Sequence, residues 1–195
     1  MTPVEETRQR IIEAAAKLFG THGYEGTSTR AIADEAGVNE VTLFRHFGNK
    51  KNLFMTMIEQ RSPATNVKTG IQEHLTGDYR EDLVILGQRF LSGMLEQRRE
   101  ILMTLCAAER LPDVREVTAD ISARPRQILG AYLQTQIEQG NVRALDPQLA
   151  GQAFFGMLFA FAINRGLMDE SPLAGQSQQQ IVAQFVDIFI AGTLK

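Results

Sequence analysis

Apolar residues recur at spacings of three and four along nearly the whole chain, and the alternation typical of a β-strand is almost absent. The first segment, from about Pro3 to His22, shows the pattern clearly. Its apolar stripe consists of Ile11, Ile12, Ala15, Leu18 and Phe19. Such a stripe is typical of an amphipathic helix that packs on one side. The sequence therefore predicts an all-α fold of about nine helices.

Closely spaced helix breaks mark the first fifty residues. The HGYEG stretch (22–26) ends the first helix, and Gly37 can end a second in a left-handed conformation. Side-chain oxygens that can cap helices stand after these breaks, at Thr27, Ser28, Thr29, Asn39 and Asn49. We therefore expect three short helices and the start of a fourth in residues 1–52, which we interpret as a small N-terminal domain.

The longer remainder, residues 53–195, is predicted to form a larger helical domain. Breaks are expected at SPATN (62–66) and LTGDY (75–79), and one long helical pattern begins near Arg80 and continues through Leu105. Pro112 marks a joint, and Gly140-Asn141 ends the next helix. The last two helices run from Asp146-Pro147 to about Met168 and from about Ser177 to Leu194, with the loop ESPLAGQ (170–176) between them.

Composition excludes several classes of protein. Of 195 residues, 44% are hydrophobic and 22% charged, an ordinary balance for a soluble globular protein. A single cysteine excludes an internal disulfide and a cysteine-rich zinc site, and no ligand set for a metal or cofactor is predicted. The acidic, polar start MTPVEETRQR does not resemble a signal peptide, and the apolar run Ala153–Ile163 is too short to span a bilayer. We expect a cytoplasmic protein with no membrane partner.

Charge is informative only locally. The formal net charge is −3, so no global basic excess indicates a nucleic-acid partner. Residues 41–52, however, contain Arg45, Lys50 and Lys51 and no acid. Since a run of charges is usually a solvated face, this patch alone is a weak signal.

The short helix predicted for EVTLFRHF (40–47) separates into two faces. At about 100° per residue, Leu43 and Phe47 fall together and are expected to face the core. Phe44 lies on the border. The opposite side carries Val41, Thr42, Arg45 and His46. An outward group of this kind suits a DNA major groove, because Arg pairs with guanine, Thr serves several base edges and Val contacts a thymine methyl.

Glu40 and the neighbouring helix starts fit the same interpretation. Glu40 could accept a hydrogen bond from a cytosine amino group, or repel wrong sequences by lying near phosphate. Ser28, Thr29 and Arg30 would offer hydroxyls, free N–H groups and a cation to phosphates, and a helix starting at Lys50 would do so from the other side. Two short helices joined by a tight turn with Gly form a helix-turn-helix, whose second helix reads bases.

The run TSTRAIADEAGVNEVTLFRHFGNKKNLF (27–54) resembles the DNA-binding signature of the TetR family of transcriptional regulators. The resemblance covers roughly residues 8–56, and the combination of TxxxIAxxAGV, TLxxHF and xxKxxLF at this spacing is specific. It implies a dimeric repressor, less often an activator, whose C-terminal domain binds a small molecule that lowers DNA affinity.

The same resemblance implies roles for individual residues. Thr29 and Arg30 would contact the DNA backbone, with Arg30 reaching towards a base, and His46 and Lys50 would hold phosphates. Phe44 departs from the family's usual Tyr and lacks the hydroxyl that would reach a phosphate, and Val41 stands where small residues are common. The predicted DNA-binding residues are Ser28, Thr29, Arg30, Asn39, Glu40, Val41, Thr42, Phe44, Arg45, His46 and Lys50.

Alternatives remain for the site and for the chain. His46 is either a phosphate contact or an exposed histidine, and the first helices are either a DNA reader or a three-helix module with a charged face. Motifs of the P-loop, GxGxxG, HExxH and GxSxG types are absent, so we predict no enzyme. A helical ligand carrier or scaffold without sequence-specific DNA binding is the competing class.

The last two helices predict a homodimer. Both carry apolar residues on more than one face, so each needs covering on two sides. One side can be the chain's own core, and a second copy can cover the other through an isologous four-helix interface. A thick monomer core is the alternative. The predicted interface residues are Phe154, Met157, Phe161, Val182, Phe185, Val186 and Phe189.

A small, mostly apolar effector is predicted from the family resemblance and the composition. Few charged residues interrupt the inner faces of the candidate helices. The residues that could line its pocket are Phe90, Met94, Met103, Cys106, Phe155 and Phe159. For Cys106, in ILMTLCAA (101–108), a buried inert thiol is favoured over a redox sensor.

Overall fold

Nine α-helices and no β-strand occupy the described part of the chain. The computed structural model describes residues 2–62, 76–167 and 175–195, without the side chains of residues 166 and 167. The predicted all-α fold is confirmed. The helices are α1 (Pro3–His22), α2 (Thr29–Glu35), α3 (Glu40–Phe47), α4 (Lys50–Gln60), α5 (Tyr79–Glu96), α6 (Arg98–Arg110), α7 (Pro112–Glu138), α8 (Pro147–Leu167) and α9 (Gln178–Thr193).

The chain divides into two compact units. The first comprises the residues up to Arg61 together with Arg99–Ala119, and the second comprises Ser62–Arg98 and Asp120–Lys195. The predicted boundary after residue 52 falls inside α4. The division into a DNA-binding domain of residues 1–52 and an effector-binding and dimerisation domain of residues 53–195 stays a prediction.

The core of the first unit forms where α1 packs against α2 and α4. Ile11, Phe19, Ile32 and Phe54 are fully buried there. The rings of Phe19 and Phe54 meet edge to face with centroids 5.0 Å apart, a favoured aromatic geometry. Short helices gain most of their stability from such packing, so this core is what keeps α2 and α3 helical.

In the second unit, α5 lies against α8 and α9. The close approach depends on Gly87 in the middle of α5. A Cβ atom built there would lie 2.8 Å from Cγ1 of Val182 and 3.3 Å from Cζ of Phe154. Both of these side chains are fully buried, so neither can give way without disturbing the core.

A buried carboxylate ties the start of α5 to α7. Asp82 is fully buried. One of its oxygens accepts hydrogen bonds from the backbone N–H and the hydroxyl of Thr76, at 2.7 and 3.1 Å, and the other accepts from the Tyr132 hydroxyl at 2.8 Å. Burial, reinforced by that bond to Asp82, raises the pKa of Tyr132.

A second buried contact links the start of α5 to the end of α9. The Tyr79 hydroxyl lies 3.0 Å from that of Thr193.

Two sequence-based expectations for the middle of the chain are wrong. The long pattern from Arg80 to Leu105 is two helices, because α5 ends at Glu96 and α6 begins at Arg98. No Gly or Pro stands at this break, so a periodicity count runs through it. Cys106 is exposed rather than buried, because α6 turns Thr104, Ala107 and Ala108 inward and so presents the opposite side of the helix outward. The predicted breaks at 62–66 and 75–79 and the loop at 170–176 lie wholly or partly outside the described residues.

We predict that Gly87→Ala lowers the free energy of unfolding by roughly 1–3 kcal/mol, because the added methyl overpacks a core that cannot yield. Urea unfolding followed by circular dichroism would measure this. The matched control is Gly20→Ala in α1, where the nearest atoms to a new Cβ lie at 3.8 and 3.9 Å. That substitution should be neutral or stabilise by about 0.5–1 kcal/mol. Equal stability of the two variants would contradict the close-approach argument.

Candidate nucleic-acid interface

Local capping determines where α2, α3 and α4 begin. The Ser28 hydroxyl accepts from the backbone N–H of Ala31 at 3.1 Å. The side-chain Oδ1 of Asn39 accepts from the backbone N–H of Val41 at 2.8 Å, and Oδ1 of Asn49 from that of Asn52 at 2.8 Å. Gly37 and Gly48 have φ of +65° and +75°, values that favour glycine. These breaks bracket α3 and join it to α2 as a helix-turn-helix.

The two faces of α3 differ sharply in exposure. Leu43 is 0% exposed and Phe47 is 6% exposed, so they hold the helix against the core. Val41 is 73% exposed and Phe44 42%. Arg45 is exposed, while Thr42 and His46 are half-buried. The helix therefore presents an apolar, a hydroxyl and a cationic side chain together, which can contact a thymine methyl, several base edges and a guanine respectively.

A hydrogen bond connects the starts of the two helices. Oγ1 of Thr29, the first residue of α2, donates to Oε1 of Glu40, the first residue of α3, at 2.6 Å. Both side chains are half-buried. This contact lies between two residues that were both predicted to touch DNA, so it constrains what either can contact.

The two lysines at the start of α4 have different surroundings. Nζ of Lys50 lies 4.3 Å from the centre of the Tyr24 ring, within range of a cation–π contact. Burial, with a smaller contribution from the Glu25 carboxylate, raises the pKa of Tyr24. Lys51 forms an ion pair with Asp113 at the start of α7. Lys51 is therefore engaged within the first unit, whereas the Tyr24 contact leaves Lys50 able to meet an anion.

Further cations of this surface are exposed. Within the described ranges neither Arg30 nor Arg45 takes part in an ion pair, and both are exposed. Ser28 and Asn39 are exposed as well, with their side chains engaged as caps. The surface that we call the reading surface is formed by the outward side chains of α3 with those at the starts of α2 and α4. Its members are the eleven predicted residues Ser28, Thr29, Arg30, Asn39, Glu40, Val41, Thr42, Phe44, Arg45, His46 and Lys50.

Two side chains that support this surface were missed by the sequence analysis. Tyr24 was read only as part of the HGYEG break, and nothing in its spacing indicates that it lies under Lys50. Arg8 was assigned only to the first helix, yet its guanidinium lies 5.2 Å from the centre of the Phe47 ring. Both contacts are between residues far apart in sequence, which periodicity cannot detect.

The six residues predicted to line an effector pocket are divided between the two units. Met103 and Cys106 belong to the first, where they line an open groove of about 460 Å³ with residues that include Phe19 and Tyr24. The other four belong to the second. There the rings of Phe90 and Phe155 lie 4.7 Å apart, both nearly buried, as is Met94, while Phe159 is 37% exposed.

Most of the residues predicted for a dimer interface lie in the chain's own core. Phe154, Val182 and Val186 are 0% exposed and have no surface to offer a second copy, and Phe161 and Phe189 are 8% and 7% exposed. Met157 and Phe185 are half-buried. The prediction rested on the apolar character of more than one face of α8 and α9, which does not distinguish a face covered by the chain's own core from an exposed one. The exposed apolar residues of α8 include Leu149 and Phe159, at 68% and 37%, and the smaller Ala153 and Ala160.

Helices α2 and α3 form a helix-turn-helix whose second helix is short, capped at its start and exposes apolar, hydroxyl and cationic side chains. This arrangement is that of a helix-turn-helix DNA-binding regulator. Residues 11–57 match the model of bacterial regulatory proteins of the tetR family, and residues 81–192 match that of the AefR-like transcriptional repressor C-terminal domain. The chain belongs to the TetR family of transcriptional regulators. It is thus a DNA-binding regulator and not an enzyme.

Individual relatives agree with this assignment over nearly the whole chain. The chain is 28% identical over 187 residues to the HTH-type transcriptional regulator YvkB of Bacillus subtilis, covering 95% of this chain and 96% of YvkB. Its fold is similar to that of a TetR-family regulator from Mesorhizobium loti, with a TM-score of 0.81, 23% identity and full coverage of both chains. It is also similar to FadR of Bacillus subtilis in complex with stearoyl-CoA, with a TM-score of 0.75, 20% identity and coverage of 94% and 98%.

Among the helices described, none is long and apolar enough to cross a membrane.

We predict that Asn39→Ala destabilises the first unit by about 1 kcal/mol, because α3 loses the side chain that caps its first turn. Chemical unfolding gives the stability. Asn52→Ala is the matched control, since it removes the same amide from an exposed position in the first turn of α4 and should be neutral or stabilise by about 0.5 kcal/mol. A loss no greater than that of the control would show that the cap contributes nothing.

Proposed function

We propose that the chain represses transcription as a homodimer that binds a palindromic operator, and that a small, mostly apolar effector releases it. The observation that carries this proposal is the outward face of α3, where Val41 and Arg45 are exposed while Leu43 and Phe47 hold the helix down. Water is an unfavourable environment for the exposed side chain of a valine, whereas a valine and an arginine side by side can both contact base edges. The proposed site of action is the bacterial cytoplasm, where the chromosome lies.

Roles within the reading surface follow from side-chain chemistry. Arg45 is proposed to pair with a guanine, Thr42 to contact a base edge and Val41 a thymine methyl. Arg30, His46 and Lys50 are proposed to hold phosphates, which fix the register without reading sequence. Phe44 has no hydroxyl to donate, so its exposed ring can contribute only apolar contact. The caps Ser28 and Asn39 set the angle of their helices.

The outward face of α8 supports the dimer. One stripe along it is apolar and uncharged, and its members, spaced by three and four, are Leu149, Ala153, Gly156 and Ala160. Leu149, the largest of them, is 68% exposed. On α9, Ile188 is 63% exposed. We propose that this stripe, with half-buried Met157 and Phe185 at its edges, packs against its symmetry mate. Its small members, Ala153, Gly156 and Ala160, allow close approach; a Cβ on Gly156 would meet nothing within 4 Å. A two-fold dimer presents two identical reading surfaces, which requires a palindromic operator.

Repression and an apolar effector are supported by the comparisons and by the second unit. The matched C-terminal model is that of a repressor. The similar regulator FadR was crystallised with stearoyl-CoA. In this chain the rings of Phe90 and Phe155 lie 4.7 Å apart, and Met94, one turn beyond Phe90 in α5, is buried. An effector that binds one state of the dimer more tightly shifts the population towards it, and its differential affinity sets the size of that shift.

Selection of bound fragments from random duplex DNA tests the proposal directly. A repressor of this kind should enrich one palindrome with half-sites about one helical turn apart. Retention of DNA without any sequence preference would contradict it.

We predict that Arg45→Ala costs roughly 1–3 kcal/mol on the selected operator and relaxes specificity at one position of each half-site. The contrasting variant is Lys50→Ala, which should weaken binding to every sequence and reduce the slope of log affinity against log salt by about one per contact. Titrations by fluorescence anisotropy on specific and random duplexes separate the two. Equal losses for Arg45→Ala on both duplexes would refute base reading, and an unchanged slope for Lys50→Ala would refute its phosphate contact.

We predict that Ile188→Glu converts the protein to a folded monomer, because the new carboxylate would be buried unpaired between two copies. Light scattering should give a mass near the single-chain value of 21.7 kDa. Val4→Glu is the matched control, since Val4 is equally apolar and 61% exposed but lies on α1. A dimer that survives Ile188→Glu, with unchanged circular dichroism, would place the interface elsewhere.

A further inference from the structure

Glu40 places a carboxylate in a surface that otherwise offers cations, hydroxyls and apolar groups to DNA. It is the first residue of α3, directly before Val41 and Thr42, and it is half-buried. A carboxylate facing phosphates is repelled by them, so a free Glu40 would swing away or weaken every complex. The structure shows that Glu40 is not free.

The hydroxyl of Thr29 holds Glu40 in place. Oγ1 of Thr29 donates to Oε1 of Glu40 at 2.6 Å, across the turn between α2 and α3. A hydroxyl bound to a charged acceptor makes a short, strong hydrogen bond. The position of Glu40 in the first turn of α3 also suits a negative charge, because the helix dipole is positive there. Oε1 thus has one partner, and both Oε2 and the second lone pair of Oε1 can still accept.

We propose that Thr29 is a positioning residue that aims Glu40 at the amino group of a cytosine, so that the pair sets the base preference at one position of each half-site. This inference rests on the proposed operator binding. An ionised carboxylate only accepts hydrogen bonds, and cytosine offers an amino donor in the major groove. Guanine and thymine present acceptors there and are repelled, and adenine places an acceptor beside its donor.

This role differs from the phosphate contact that the sequence analysis assigns to Thr29. A hydroxyl has one proton, and in the structure that proton is directed at Glu40. A phosphate contact predicts an equal loss on all sequences when the hydroxyl is removed. A positioning role predicts a loss confined to operators with cytosine at the position read by Glu40.

Parallel selections from random duplex DNA with full-length wild type, Thr29→Val, Thr29→Ser and Glu40→Gln test the proposal. Wild type should enrich cytosine at one half-site position. Glu40→Gln should shift that position towards adenine, which the amide pairs with. Thr29→Val should broaden the same position and no other, with affinity for the wild-type operator roughly three- to tenfold weaker. Thr29→Ser keeps the hydroxyl and should restore the preference.

The control is Thr21→Val on α1, which removes a hydroxyl that donates only to the carbonyl of Lys17 in its own helix. It should leave the selected sequence unchanged. A uniform loss for Thr29→Val on specific and random DNA, an unchanged selection, or a Glu40→Gln variant that binds all sequences more tightly by the same factor would each overturn the proposal. If Thr29→Val unfolds, Thr29→Ala, which also removes the hydroxyl, takes its place in the selection with the same expected outcomes. Wild type that enriches no sequence would refute the operator binding itself, a result distinct from all of these.

Discussion

The burial of Leu43 and Phe47 is the contact on which the rest of the reading surface depends. Helix α3 has eight residues, too few to be stable alone in water. It persists because these two side chains are 0% and 6% exposed. The same contact fixes the rotation of the helix about its own axis, since residues three and four apart share a face. Val41 and Arg45 are exposed as a direct consequence, and any change in the core would turn them away together.

The second unit is organised by an equally small number of close contacts. Gly87 lets α5 approach Val182 and Phe154, and the buried Asp82 fixes the start of α5 to Tyr132 of α7. A buried carboxylate is stabilised when hydrogen-bond donors surround it, and Asp82 accepts three hydrogen bonds. The proposed effector, if it enters between Phe90 and Phe155, would have to be apolar to compensate for the contacts it displaces.

The sequence predicts local structure well where the signal is local. The start and end of α1, the cap at Asn39 and the two faces of α3 follow from residue type and spacing, and the structure has them. Contacts between distant residues are different. The break at Gln97 carries no Gly or Pro. Residues 99–119 belong to the first unit, where Glu100 pairs with Arg61 at 3.2 Å and Asp113 pairs with Lys51. Large apolar residues of α8 were assigned to an interface because composition cannot distinguish the inner from the outer half of an apolar helix.

The proposed dimer matters for function because the reading surface of a single copy attracts DNA phosphates only weakly. The chain carries a net charge of −3, and its reading surface sets Arg30, Arg45 and Lys50 against one acid, Glu40. Counterion release from so few phosphate contacts gives modest affinity, and that part is the same for every sequence. Two linked reading surfaces add their binding free energies, because the second engages at high effective concentration. In the proposed dimer an acid in each surface is tolerable: it would lower the non-specific part of the affinity and, with Thr29 holding it in place, would contribute to discrimination at two symmetric positions. A process that separates the two reading surfaces or changes the distance between them removes the binding free energy that the second surface adds. The distance between the two reading surfaces is therefore the quantity through which an effector would act most strongly.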